Sequence, residues 1–162
     1  MVATELCYMI LTGEELYKYL VDYNNDDPFY MFPILKERLR FFSGRDLVSN
    51  HNNSEEHYYY CAFNNEKIVA ILKLKTGGFD SMWHKGWCNW LCYCSVDTDY
   101  KGQGISKILV EMMFKFAKEK NINILGSGYT KEGFDRLKPV LARYAKKYGV
   151  DFLDDREKPE YD

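Results

Sequence analysis

The segment GWCNWLCYCSV, residues 86–96, is almost continuously apolar. A run of this kind is typical of a strand that is covered on both faces, as in sheets against which helices pack. Gly102 and Gly104 follow after a short polar stretch, and apolar residues at helical spacing predict an amphipathic helix beyond them. A buried strand, a glycine turn and a helix in this order predict an α/β fold. The expected apolar face of that helix comprises Ile105, Ile108, Leu109, Met112 and Phe116.

The other elements follow from periodicity and from turn residues. Thr12 and Glu15 form a capping-box pattern before a helix, and Pro139 is expected to kink or divide the last helix. The predicted order is β-α-α-β-β-β-α-β-α-β, a mixed sheet with helices on both faces. In chain order, after an opening strand at 3–11 and the helix at 12–23, the elements are a helix at 32–42, a hairpin at 58–75, the strand at 86–96, the helix from 105, a strand at 122–130, a helix at 132–149 and a strand at 150–155.

The length and the charge of the sequence indicate which kind of protein to expect. The chain of 162 residues is long enough to bury a core, and no linker or repeat divides it, so one domain spanning residues 1–162 is expected. Residues 96–149 hold eleven Lys and Arg against six Asp and Glu. This basic half suggests an anionic cofactor on one side and a cationic substrate on the other, although a solvated charged surface gives the same count.

Targeting signals and metal-ligand patterns are not recognised. No apolar run has the roughly 20 residues of a membrane span, and no basic, apolar leader begins the sequence, so a cytoplasmic protein is expected. The five cysteines are expected to be reduced thiols. Cys88, Cys92 and Cys94 would share one face of a strand as small apolar residues, and no His spacing suggests a metal site.

The glycine turn excludes two phosphate-binding motifs. No Walker sequence is present. A dinucleotide-binding turn needs a third glycine where Lys107 stands, and five residues separate Val96 from Gly102, which is too many for that tight turn.

Residues 96–107, VDTDYKGQGISK, resemble the acetyl-CoA-binding motif [Q/R]-x-x-G-x-[G/A] of the GNAT N-acetyltransferases. Lys101 takes the place of Gln or Arg, Gly104 matches, and Ser106 replaces the final small residue. The element order resembles the GNAT fold along essentially the whole chain, and the C-terminal part is loosely similar to phage-encoded members, for which the host cytoplasm would be the compartment. The resemblance implies direct transfer of an acetyl group from acetyl-CoA to a primary amine of a protein or small molecule, without a metal.

The resemblance also indicates where acetyl-CoA would bind. Backbone N–H groups at the start of the helix lack internal partners and suit a pyrophosphate. The backbone near Cys94 and Val96 would bind the pantetheine and the acetyl carbonyl. The predicted cofactor-binding residues are Cys94, Val96, Lys101, Gly102, Gln103, Gly104, Ile105, Ser106 and Lys107.

The catalytic groups are less well marked. Many GNAT proteins protonate the leaving thiolate with a Tyr four residues before a Gly-Phe pair. Here the corresponding pair is Gly149-Val150, and the position four residues before it holds Ala145. Tyr144 is therefore the predicted acid, with the neighbouring Tyr148 or water as alternatives. Asp80 and His84, in the loop before the buried strand, are the nearest candidates for the base.

Other functions remain open at this point. A weakly active or inactive acetyl-CoA-binding domain is one alternative, and a nucleic-acid-binding module is another, because the last helix carries several basic residues. Acidic residues near the expected acceptor entrance could attract a cationic amine, and a homodimer is left open. The basic residues are Arg136, Lys138, Arg143, Lys146 and Lys147; the acidic ones are Asp26, Asp27, Glu55 and Glu56.

Overall fold

A six-stranded mixed sheet organises the chain. The computed structural model describes residues 5–13, 15–16, 56–65 and 67–160. The strand order is sequential, with antiparallel pairing from the first strand to the fourth and parallel pairing from the fourth to the sixth. The strands are β1 Cys7–Thr12, β2 Glu56–Asn64, β3 Lys67–Thr76, β4 Trp90–Val96, β5 Ile124–Leu125 and β6 Phe152–Leu153.

Two long helices, α1 Ile105–Lys120 and α2 Lys131–Tyr148, pack against each other, and α1 covers β2, β3 and β4. Their shared core with the sheet includes Tyr60, Leu72 and Phe114. Ile108 was expected in this core but is 42% exposed. The buried arc of α1 runs through Leu109, Val110, Met113, Phe114 and Ala117, and at 100° per residue Ile108 lies outside it.

The predicted capping box and the predicted hairpin are both confirmed in the described residues. Thr12 N–H donates to Glu15 Oε1 and Glu15 N–H donates to Thr12 Oγ1, each over 3.2 Å, which is the predicted capping box. The hairpin of β2 and β3 turns at Asn65, whose φ is 55°. Both described helices share one core with the sheet. The two helices predicted for 12–42 fall outside the described residues, apart from the first turn after Thr12.

Pro139 lies inside α2 without dividing it, because the helix is continuous from Lys131 to Tyr148. The expected division is wrong. Proline removes the N–H that would bond the carbonyl of Asp135, and both positions are exposed, so water can take the place of that bond.

A β-bulge near Cys92 changes the faces of β4. Lys73 lies opposite Tyr93 while the next residue of β3 lies opposite Leu91, so Cys92 has no opposite residue. Cys94 packs against the core beneath α1, whereas Cys92 interacts with Tyr59. The expectation that the cysteines share one face is therefore wrong, since one extra residue reverses the alternation. All five cysteines are free thiols.

Within the described ranges, no helix combines the length and the apolar composition that a membrane crossing requires.

Candidate functional site

β4 and β5 part soon after they meet. Their parallel ladder contains one pair, Trp90 opposite Leu125. Beyond it Ser127 Oγ donates to the Cys92 carbonyl oxygen over 3.3 Å, so a side chain takes the place of the next ladder bond. Among the described residues, the ladder of β4 continues after Cys92 to β3 alone. The result is a gap between the C-terminal part of β4 and the chain that follows β5, with Ser127 at its vertex.

The backbone of Cys94 and Val96 faces this gap. Asp97 N–H donates to the Val69 carbonyl oxygen of β3 over 2.8 Å. Backbone groups alternate between the two edges of a strand, so those of Val96 and Cys94 point away from β3. The side chains of both residues pack against the core. The predicted contribution of these two residues is thus available through their backbone groups, which need partners.

The turn after β4 is shaped by Asp97 and by two glycines. Asp97 caps a short 3₁₀ helix, Thr98–Tyr100, by accepting from Asp99 N–H over 3.0 Å. Gly102 and Gly104 have φ of 81° and 79°, in the left-handed region that favours glycine. A Cβ added at either glycine would meet no atom within 4 Å, so open space lies beside them. Glycine is therefore favoured by the backbone conformation and not by crowding.

The N-terminus of α1 presents free donors at the same place. Gly104 is its N-cap and offers no side chain to the helix. The first bond within the helix runs from Ile108 N–H to the Gly104 carbonyl over 3.3 Å. The N–H groups of residues 105–107 therefore have no helical partner. We call these three donors and the Gly102–Gly104 turn the cradle, since they suit an anion.

The predicted side chains contribute to the cradle unequally. Ile105 is 3% exposed and can offer only its backbone N–H, whereas Ser106 is half-buried. Gln103 and Lys107 are exposed. Lys101 Nζ lies 3.1 Å from Glu132 Oε2 in the first turn of α2. Its charge is partly balanced there, and the pair links the turn to α2.

Tyr144 and Tyr148 gather at Glu111 of α1. Tyr148 Oη donates to Glu111 Oε1 over 2.9 Å, and Arg143 Cζ lies 5.2 Å from the centre of the Tyr144 ring. A hydrogen bond from Tyr148 lowers the pKa of Glu111 below its ordinary value, and a hydrogen bond from Tyr144 adds a smaller decrease. Glu111 is six residues into α1, about 9 Å along its axis from the cradle. Ala145 is buried in the core. The role of Tyr144 as the acid stays a prediction.

Asp80 and His84 lie at the other end of β4. Both belong to the loop 77–89, which precedes the strand, whereas the cradle follows it; seven residues of strand span roughly 20 Å. His84 Nε2 is 3.4 Å from Asp155 Oδ2, and Asp80 is exposed. The structure therefore does not bring the two candidate bases to the cradle.

Of the acidic acceptor residues, Glu56 is described and accepts from Tyr58 Oη; Asp26, Asp27 and Glu55 fall outside the described ranges.

The basic face of α2 is largely engaged within the chain. Three of the five basic residues named for this helix form ion pairs: Arg136 with Glu132 at 3.9 Å, Lys138 with Asp154 at 2.8 Å and Lys147 with Glu111 at 3.5 Å. These pairs reduce the charge that is available to a nucleic acid. In the part of the chain that the structure describes, no group of three His, Cys, Asp or Glu side chains could hold a metal ion.

Ser127 was missed by the sequence reasoning. Its signal is the GSG sequence directly after a short apolar strand. Gly126 leaves room for Phe152, whose ring carbon would lie 3.2 Å from an added Cβ. The importance of Ser127 arises from its bond to Cys92, 35 residues away, which local sequence does not reveal.

Comparison with known proteins agrees with this geometry. The model of the acetyltransferase (GNAT) family matches residues 14–135. No curated protein matches the chain significantly. Among solved structures, the catalytic domain of Tetrahymena GCN5 histone acetyltransferase in complex with coenzyme A has a TM-score of 0.54 at 12% identity, covering 98% of this chain and 91% of that chain.

Two further structures have the same fold. A transcriptional regulator from Bacillus halodurans C-125 has a TM-score of 0.53 at 17% identity, covering 98% of this chain and 99% of its own. A GCN5-related N-acetyltransferase from Ralstonia eutropha JMP134 has a TM-score of 0.52 at 14% identity, covering 96% and 98%. At these identities the structures establish the shared fold, and the family match covers most of the sequence: the chain belongs to the GNAT family of acetyltransferases.

Proposed function

We propose that this protein transfers an acetyl group from acetyl-CoA to the primary amine of a protein or small molecule. One observation carries the proposal: an uncapped helix N-terminus follows the glycine turn after a strand whose Cys94 and Val96 backbone groups face the gap. The coenzyme A in the Tetrahymena fold neighbour supports this choice of donor. We further propose that residues 1–162 act as one domain, in the cytoplasm.

The cradle would bind the pyrophosphate of acetyl-CoA. Three convergent N–H groups at residues 105–107 supply hydrogen bonds, and the helix dipole adds about 0.3–1 kcal/mol. The pantetheine amides would then pair with the free edge of β4. This arrangement directs the thioester along β4 toward the vertex at Ser127.

The proposed chemistry is a single displacement. The amine nitrogen attacks the thioester carbonyl carbon, the C–S bond breaks, coenzyme A leaves as thiolate, and the amine loses its proton to a base or to water. An alkyl ammonium has a pKa of about 10.4 and must lose a proton before it attacks. A β4 N–H in the gap can stabilise the oxyanion.

We propose that Cys94 does not act as a competing nucleophile, because its half-buried side chain packs against the core. Burial raises the pKa of the Cys94 thiol to about 12. The thiolate needed to form an acetyl-enzyme is therefore nearly absent at neutral pH. This supports direct attack by the amine.

Calorimetric titration tests the donor. We expect saturable binding of acetyl-CoA and of coenzyme A and none of NADH, because the turn lacks the dinucleotide pattern. Release of thiol in the presence of an amine panel then tests transfer. Absence of binding to either coenzyme A species contradicts the proposal. Binding without thiol release from any amine favours a non-catalytic acetyl-CoA-binding domain, whereas binding of an oligonucleotide that weakens steeply with salt favours the nucleic-acid alternative.

Tyr144 is our proposed acid, and its hydroxyl can be removed without changing its ring. We expect Tyr144→Phe to lower kcat about 100-fold, the low end for general acid catalysis, because a thiol of pKa about 8.5 leaves readily. The KM for acetyl-CoA should stay within about 2-fold, since the ring remains. Tyr148→Phe is the matched comparison, because it removes a hydroxyl from the same Glu111 cluster: a kcat loss confined to Tyr144→Phe supports Tyr144, and one confined to Tyr148→Phe assigns the acid to Tyr148. A kcat of Tyr144→Phe that equals the wild-type value across pH assigns Tyr144 to packing alone.

A further inference from the structure

The loop 77–89 exposes three large apolar side chains. Phe79, Met82 and Trp83 are 83%, 86% and 82% exposed. They lie together on the connection between β3 and β4, at the end of the sheet away from the cradle. Single exposed apolar residues are ordinary, but three neighbours of this size on one turn indicate an interaction surface. We call residues 79–85 the apolar turn.

The apolar turn is held in place by its own backbone and by its base. Ser81 N–H donates to the Trp87 carbonyl over 2.9 Å, and Trp87 N–H donates to the His84 carbonyl over 3.2 Å. At the base, Gly77 N–H donates to Asn89 Oδ1 over 3.1 Å. These bonds fix the backbone that carries the three exposed side chains. Because this loop need not become ordered on binding, the entropic cost of association is reduced.

We propose that the apolar turn packs against the same turn of a second copy of this chain, across a two-fold axis. Three large side chains provide roughly 500 Å² per copy, taking about 150–250 Å² for each. Two copies therefore bury about 1,000 Å², the lower limit for a specific interface. A surface that is mainly apolar is also complementary to itself, as a two-fold interface requires.

Charge around the turn supports a second copy as the partner. Asp80 and Lys85 are both exposed and come directly before and after the Ser81–His84 bridge at the base of the apolar turn. A two-fold axis through the apolar residues brings Asp80 of one copy toward Lys85 of the other. An anionic membrane fits less well, because His84 contacts Asp155 and residues 151–160 hold five acidic against two basic residues. The inference is independent of the proposed acetyl transfer.

Sedimentation equilibrium over about 1–200 µM tests the dimer, since small interfaces have dissociation constants in the micromolar range. We expect the wild-type mass to rise with concentration to about twice 19.2 kDa. The double variant Met82→Ser, Trp83→Ser should weaken dimerisation at least about 100-fold, because it removes two of the three anchors. Met9→Ser is the matched control: Met9 is 47% exposed on β1, and its loss should leave the mass unchanged.

A charge exchange tests the two-fold geometry without altering the apolar residues. Asp80→Lys and Lys85→Asp should each weaken the dimer about 10-fold, and the double variant should restore it to within about 2-fold. A wild-type protein that stays monomeric, or a dimer that Met82→Ser, Trp83→Ser does not affect, overturns the proposal. A monomer that floats with phosphatidylcholine vesicles through Trp83 also overturns it and assigns the turn to a lipid surface.

Discussion

Gly104→Asp is expected to weaken acetyl-CoA binding at least about 100-fold while leaving the fold intact. Gly104 is the N-cap of α1, with φ of 79° and open space at its Cβ position. Asp tolerates the left-handed region better than most residues. Its carboxylate would stand in the open space beside the cradle, where it would repel a pyrophosphate and occupy the room that the phosphates need. Two lost charge-assisted hydrogen bonds account for about 3 kcal/mol or more.

The measurement is a calorimetric Kd together with a thermal unfolding midpoint for each variant. Gly104→Asn is the matched control, because it has the same shape without the charge. Its binding loss should be smaller than that of Gly104→Asp, and the difference reports the repulsion. Unfolding midpoints within a few degrees of wild type are expected for both, since Asp and Asn adopt a left-handed φ at less cost than other side chains. A Kd unchanged by Gly104→Asp would place the acetyl-CoA site elsewhere.

The features that were predicted correctly depend on a few neighbouring residues. The capping box joins Thr12 to Glu15, three residues away, and the predicted hairpin of β2 and β3 turns within a few residues at Asn65. Such interactions are formed within one turn of chain, so the residue types alone indicate them.

The features that were missed depend on tertiary structure. The bulge at Cys92 could not be read from a strand that is apolar on both faces, because an extra residue does not change such a pattern. The exposure of Ile108 depends on where α1 meets the sheet and α2. Ser127 and Lys101 find their partners at Cys92 and Glu132, both more than 30 residues away. These contacts are set by the packing of elements and carry no local signature.

Alkaline pH is expected to unfold the protein cooperatively, through groups buried in the sheet. Cys61, Tyr59 and Tyr60 are fully buried, and this burial raises the pKa of each above its ordinary value of 9.0 for the thiol and 10.0 for the phenols. The unfolded chain releases these protons near pH 9 and 10, whereas the folded chain keeps them. Stability is therefore complete below about pH 9 and falls as the pH rises above it. At pH 11 these three groups together cost about 5 kcal/mol, comparable to the whole stability of many domains.

Urea unfolding at about pH 8, 10 and 11, followed by circular dichroism and by tyrosinate absorbance, measures this loss. The matched variant is Tyr60→Phe. Among the described residues the Tyr60 hydroxyl is buried without a hydrogen-bond partner, so its removal should leave the stability at pH 8 unchanged or raise it by about 1 kcal/mol. At pH 11 the variant should lose about 1 kcal/mol less than wild type, because one buried phenol no longer titrates. Equal losses in the two proteins, or stability that stays constant to pH 11, would show that these groups ionise without unfolding the sheet.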